Sequence, residues 1–234
     1  MRIGALVAPL IALAIVACSS KEEDSTPTPS PPATTAFAAE SPALPDATES
    51  ADAPPANEDE LAASYLLTID DMPIGWSAMA AEESSGALDR CALMSEGRTG
   101  SADSDRFESG RTSTLDHSVA VYVSEDAAIA AAERFGEFVD CIVDEINNGA
   151  LDTDDVRASD ARAGRVSMPG AVAYRISAKA FPVGGGVSLE VHLDLVLQQS
   201  GRVVSFLVAT DIVTPFEPSL LSELVATVAR KLES

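Results

Sequence analysis

The chain has 234 residues, with 37 acidic and 15 basic side chains and a formal net charge of −22. That balance excludes nucleic acid as a partner, since phosphate binding needs clustered Lys and Arg, and it disfavours docking on an anionic lipid face through charge alone. It suits solubility in an extracytoplasmic space.

Met1 and Arg2 carry one positive charge, and Ile3 to Val16 are uncharged and rich in Ala, Leu, Ile and Val. A permanent span needs about 20 apolar residues, and "SSKEED" ends this run too soon. The pattern is that of an export signal rather than a buried helix. Its last residues, Ile15-Val16-Ala17-Cys18, resemble the lipobox of bacterial lipoproteins: an aliphatic residue, a small or β-branched one, a small one, then Cys. The resemblance implies a signal peptide over 1–17, cleavage before Cys18, and diacylation of Cys18 by palmitate-like chains. Membrane lipid is then a partner, on the extracytoplasmic side of the cell membrane. Two acyl chains anchor a protein stably, at about 0.8 kcal/mol per buried CH₂. Twelve Arg against three Lys, with abundant Ala, fits a GC-rich bacterial genome.

From Cys18 to Asn57 the chain is almost wholly Pro, Ala, Ser, Thr and acids. Such a segment buries too little apolar surface to offset its ordering entropy and is predicted to be a disordered linker. Its span is roughly 35 Å as a coil and about 120 Å if Pro keeps it extended.

Residues 58–234 have the size of one domain. Asn57 caps a short helix with Glu60 in capping-box position, and "TIDDMPIGW" stops it, because the residue before Pro73 leaves the α region. Trp76, the single Trp, either plugs one end of the core or stacks on a ligand. Residues 77–114 are Ser-, Gly- and Asp-rich and show a pattern only near Cys91 to Met94. "LDHSVAVYV" alternates as a strand from Leu115 to Val123. Ser124 caps one long helix whose stripe of Phe135, Val139, Ile142 and Ile146 faces a core, and Gly149 ends it.

"AVAYRISAKAF" and "VSLEVHLDLVL" alternate as strands joined by "PVGGG". Pairing Phe181 with Ser188 sets Lys179 beside Glu190 and Arg175 beside Asp194; a slip of one residue loses both the face match and the charge match. Ser200-Gly201 turns the chain tightly into "RVVSFLVATDIV", apolar on both faces and therefore central. A C-terminal helix presents Leu221, Leu224, Val225, Val228 and Leu232. The fold class is α+β, an antiparallel sheet with helices packed on one face.

With Cys18 assigned to lipid, Cys91 and Cys141 form an even pair in an exported domain, and a disulfide is the default. The short acidic helix leading into "DDMPIGW", a Cys soon after, the strand, the helix carrying Cys141, the hairpin sheet and the closing helix together resemble the PknH-like extracytoplasmic sensor domain. Members often carry a second disulfide and a Trp before the helix Cys; here that stretch is "FGEFVDC". The resemblance implies ligand sensing in the cell envelope.

No G-x-S-x-G, P-loop or H-E-x-x-H occurs, so the chain is not read as an enzyme, and no cofactor or metal is expected. His117 and His192 are expected to face solvent or polar neighbours on strands. "DTDD" at 152–155 suggests calcium, but position 157 is Arg where a loop of that kind needs Gly, which leaves a solvated acidic loop. The solvent side of the hairpin sheet is expected to carry Arg175, Lys179, Glu190, His192 and Asp194 beside Val196, Val203 and Leu207. Such a face is either a salt-bridged exterior or a binding surface. Trp76, Arg175, His192 and Leu207 are its candidate ligand contacts. The expected function is to bind or sense an unidentified small molecule or other envelope ligand; the alternative is a structural or adaptor lipoprotein that binds another envelope protein.

Overall fold

The computed structural model of the chain describes residues 57–80, 91, 94–110 and 112–233. Cys18, the signal peptide and the linker up to residue 56 lie outside the described residues. The elements in chain order are α1 (Glu58–Ser64), a 3-10 turn (Ile69–Asp71), β1 (Trp76–Met79), β2 (Arg98–Asp103), β3 (Arg106–Ser109) and β4 (Ser113–Tyr122). Then follow α2 (Glu125–Glu133), α3 (Phe135–Asn147), β5 (Val156–Val166), β6 (Val172–Pro182), β7 (Leu189–Ser200), β8 (Val203–Ile212) and α4 (Pro218–Leu232).

The strands form one antiparallel sheet in the order β1-β3-β4-β8-β7-β6-β5, and β2 continues the line of β3 along β4. The class is α+β, as the sequence predicts. The expected register also holds: Lys179 pairs with Glu190 and Arg175 with Asp194. β8 lies between β4 and β7, as its two apolar faces require. β5 is an addition; it pairs with β6 through a bulge between Ser159 and Arg162, where Asp160 has φ 57°.

α2 and α3 pack together on one face of the sheet. Phe135, Val139, Ile142 and Ile146 meet Ile176, Leu195, Leu197, Val204 and Val208, and the rings of Phe135, Phe138, Tyr174 and Phe206 close edge-on within that layer. Neighbouring residues of a strand point to opposite faces, so Val196 and Leu207 look the other way. They meet Leu221, Leu224, Val225 and Val228 of α4. Beside α4 on this second face, Ala62 of α1 covers Val119, Val121 and Val203. Gly100 permits this approach, because a Cβ there would lie 2.5 Å from the Glu58 backbone.

The single long helix expected after Ser124 is two helices. Ser124 caps the first as predicted, accepting from the Ala127 N–H. The chain leaves helical geometry at Arg134, φ −80° and ψ 0°, where buried alanines give way to phenyl rings. Cys91 and Cys141 are disulfide-bonded, Cα atoms 5.7 Å apart, which ties the segment after β1 to α3.

Candidate functional site

α4 and α1 cover only part of the second face. The part toward β5 and β6 is a polar row that crosses five strands: Arg162 on β5, Ser177 on β6, His192 on β7, Asp211 on β8 and Ser113 on β4. At about 4.8 Å per strand the row is roughly 19 Å wide. Beside it the Arg175 guanidinium donates twice to Asp194, from Nε to Oδ1 at 2.8 Å and from Nη2 to Oδ2 at 3.0 Å. On its other side Lys179 reaches Asp160 at 3.0 Å. Asp194 is 2% exposed; burial pushes its carboxyl above the usual range, against the pull of the Arg175 fork.

His192 is buried, with Nδ1 3.0 Å from Ser177 Oγ. Asp211 is its neighbour on β8 but directs one oxygen to Ser113 Oγ and the other to the Ile212 N–H. Ser177, His192 and Asp211 therefore stand in line without forming a hydrolytic triad, in which the acid would hold the imidazole nitrogen opposite the serine.

The four predicted ligand contacts do not converge. Arg175, half-buried, and His192, buried beside Ser177, lie on the polar part of this face. Leu207, expected on the solvent side with Val196 and Val203, is buried: α4 covers Val196 and Leu207, and α1 covers Val203. Trp76 packs on Phe216 at 5.9 Å between ring centroids, at the margin of the α4 core.

His117 meets a polar neighbour, as expected of a strand histidine, but in the interior rather than at the surface. It is fully buried beneath the chain that follows α1. The Leu67 N–H donates to Nδ1 at 2.9 Å, and a backbone amide can only donate, so the proton is on Nε2, which donates to Ser205 Oγ at 2.8 Å. Burial, then the Lys231 charge, push its pKa down to about 3. The imidazole is a neutral pin between the N-terminal segment and the sheet.

The acidic "DTDD" loop is accounted for locally. Asp152 accepts from the Ala158 N–H and from Arg157 Nη1, and Thr153 Oγ1 accepts from the Val156 N–H, so the loop starts β5. Among the described residues no three His, Cys, Asp or Glu side chains converge as metal ligands.

A second polar group lies on the opposite face, on the even positions of β4 that precede Ala120. Thr114, Asp116 and Ser118 alternate there along β4 and are buried. Arg106 Nε donates to Asp116 Oδ1 at 3.0 Å, with both side chains under 10% exposed. Burial, the largest influence, raises the Asp116 pKa, and Arg106 opposes it. Among the described residues, Thr114 Oγ1, Asp116 Oδ2 and Ser118 Oγ have no hydrogen-bond partner. Each such group costs about 1–3 kcal/mol if left unmatched.

No protein-family model and no curated protein matches the sequence. Two solved structures are similar in fold. The extracellular domain of PknH from Mycobacterium tuberculosis shows 13% identity and a TM-score of 0.39 over 75% of this chain and 97% of its own. Cyanobacterial PsbP (CyanoP) from Synechocystis sp. PCC 6803 shows 14% identity and a TM-score of 0.37 over 70% of this chain and 87% of its own. A likeness of that degree concerns the arrangement of strands and helices and assigns no residue a role.

Sequence reasoning placed Arg175 and His192 correctly on one face and missed the Arg106–Asp116 pair. A signal for the pair was present: Thr114, Asp116 and Ser118 take every even position before Ala120 in a strand whose odd positions include Leu115, Val119 and Val121.

Proposed function

We propose that this chain is an extracytoplasmic bacterial lipoprotein, held to the cell membrane through diacylated Cys18, whose α+β domain binds an envelope ligand without catalysis. The anchoring reading rests on the register of the charge, the apolar run and Ile15-Val16-Ala17-Cys18. The binding reading is carried by one observation: the Arg162–Ser177–His192–Asp211–Ser113 row and the Arg175–Asp194 fork form a polar area outside the α4 core, accessible at Arg162, Arg175, Ser177, Asp211 and Ser113 and closed beneath at His192 and Asp194.

The same area favours a protein partner as a second reading. It is a sheet surface rather than a pocket, and paired charges on such a surface suit the rim of a protein contact. The adaptor function is therefore retained beside the small-molecule one.

Two measurements test the proposal. In a bacterial host, the full chain should incorporate an alkyne-tagged palmitate and fractionate with membranes, and Cys18→Ala should do neither. Labelling that persists in Cys18→Ala would refute the anchor assignment. For the binding face, Arg175→Ala/His192→Ala should abolish the response of the purified chain to envelope extracts and fractions while its melting remains cooperative; an unchanged response would move the site elsewhere.

A further inference from the structure

β5 is the last strand of the sheet and, among the described strands, pairs with β6 alone. An edge strand carries backbone groups that face no partner, and another strand can pair there unless the edge is covered or charged. The first half of this edge is covered, because Asn147 takes both the N–H and the C=O of Ala161. Backbone direction alternates along a strand, so Ala163 and Arg165 turn their N–H and C=O groups the same way, away from β6. The other end of the pair agrees: the Val183 N–H donates to the Asp155 carbonyl, which turns Ser177 and Arg175 of β6 toward Arg162 and Gly164. Arg162, Ala163, Gly164 and Arg165 are all exposed, and a Cβ on Gly164 would meet nothing within 4 Å. This half of the edge has both access and room.

Side chains decide what kind of strand fits. Arg162 and Gly164 point to the face of Ser177 and Arg175, and Ala163 and Arg165 to the face of Ile176 and Tyr174. Arg106, Arg134, Arg157, Arg175 and Arg202 each meet a carboxylate, whereas Arg162 and Arg165 meet none among the described residues. Two exposed guanidiniums three residues apart on an open edge select for carboxylates. A second copy is selected against, because two antiparallel β5 edges would bring four of these arginines together. Between them the bare Gly164 leaves a notch of the kind that an aromatic ring from a neighbouring strand fills.

We propose that the β5 edge from Arg162 to Val166 takes up, as an added antiparallel strand, an extended segment of another protein with the pattern acid, aromatic, any residue, acid. The added strand runs backward along β5, so its first acid lies opposite Arg165, its aromatic residue opposite Gly164 and its second acid opposite Arg162. Its backbone pairs with Ala163 and Arg165, and its side chains supply the specificity. The site shares only Arg162 with the polar area around Arg175 and His192 and does not depend on it.

Three fluorescein-labelled peptides, titrated at low salt into the purified full chain, test this. VTEYTEVT carries the pattern, VTKYTKVT has lysine for both acids, and VTEGTEVT lacks the ring. VTEYTEVT is expected to bind and to slow hydrogen exchange at the Ala163 and Arg165 N–H groups. The lysine peptide should bind at least tenfold more weakly, and the peptide without the ring should also bind less well. Arg162→Glu/Arg165→Glu is expected to reverse the order of the two charged peptides. Both arginines are exposed, so this variant should melt with the parent; if it does not fold, Arg165→Gln replaces it and should weaken VTEYTEVT alone. Arg175→Ala/His192→Ala should bind VTEYTEVT as the parent does, which separates this edge from the Arg175–His192 face. The proposal is overturned by no binding at millimolar peptide, by equal binding of any two of the peptides, by an unchanged order in the arginine variant, or by protection confined to other strands. Faster exchange at Ala163 and Arg165 in Asp46→Asn/Glu49→Gln/Asp52→Asn without peptide would also overturn it, since the chain's own tether would then hold the edge. So would a dimer whose formation protects these amides, which would give the edge to a second copy.

Discussion

His117 fixes the segment after α1 through a geometry that works only for a neutral ring. In the unfolded chain its pKa is about 6.5; in the fold it is about 3. The unfolded state therefore takes up the proton first, so the stability this residue contributes is complete above about pH 6.5 and is lost as pH falls from there toward 3. The slope is at most about 1.4 kcal/mol per pH unit. Asp116 and Asp194 act in the opposite sense, because their raised carboxyls are protonated first in the fold, which relieves a cost as pH falls. Urea melts of the parent and of His117→Gln between pH 7 and 4 separate these contributions. The variant should be about 2–3 kcal/mol less stable at pH 7, with the Leu67 N–H and Ser205 unmatched. Its stability should also fall less steeply on acidification, and parallel slopes would show that the ring is not the neutral pin described.

Among the elements, legibility followed the strength of pairing signals. β6 and β7 could be registered from sequence because two charge pairs and two apolar faces agree on one alignment. β5 carried no such signal. Its buried positions are Val156, Ala158 and Ala161, interleaved with Arg157, Asp160 and Arg162, and the Asp160 bulge shifts the alternation midway. What stabilises that bulge comes from another element: Asn147 at the end of α3 accepts from the Ala161 N–H at 2.8 Å and donates to the Ala161 carbonyl at 3.1 Å. The amide side chain takes the place of a strand partner at the sheet edge. Asn147→Ala should cost about 1–2 kcal/mol and should speed hydrogen exchange at Ala161 relative to β7; unchanged exchange there would argue against the edge role. The second covered face was missed for a related reason. An amphipathic stripe such as Leu221-Leu224-Val225-Val228 says that α4 buries a side, but not which side of the sheet receives it. With α4 on the face of Leu207, half of the expected binding contacts became core.

At the scale of the whole molecule, the chain packs helices on both faces of a sheet and uses one covalent tie across the region hardest to read. The Cys91–Cys141 bridge closes a loop with a sequence separation of 50. In the chain-entropy model such a closure contributes about 4 kcal/mol. Cys91→Ser/Cys141→Ser should therefore lower the urea midpoint by a corresponding amount, and reductant should do the same to the parent but not to the variant. Equal midpoints for parent and variant in non-reducing buffer would show that the bridge adds nothing. The strongly acidic composition was legible at once and constrained partners; where the uncovered area lies depended on how helices of similar amphipathicity were distributed, which only the packing decides.

The position of α1 has a mechanical consequence for a domain hung from lipid. The short helix begins beside the β7–β8 turn, where Arg202 grips Glu58 at 2.6 Å. The Gly184–Gly186 loop sits at the other end of the twelve-residue strand β7, about 40 Å away. On the proposed anchoring, tension on the tether enters the fold at Asn57, next to that ion pair. The first parts to bear it are the Arg202–Glu58 contact, the close seat of α1 on Gly100 and the Leu67–His117 hydrogen bond. α1 would peel away as a fuse while β4 and β8, loaded only after it, keep their shape, so the far end of the sheet would stay folded under a pull that had already stripped the end nearest the tether.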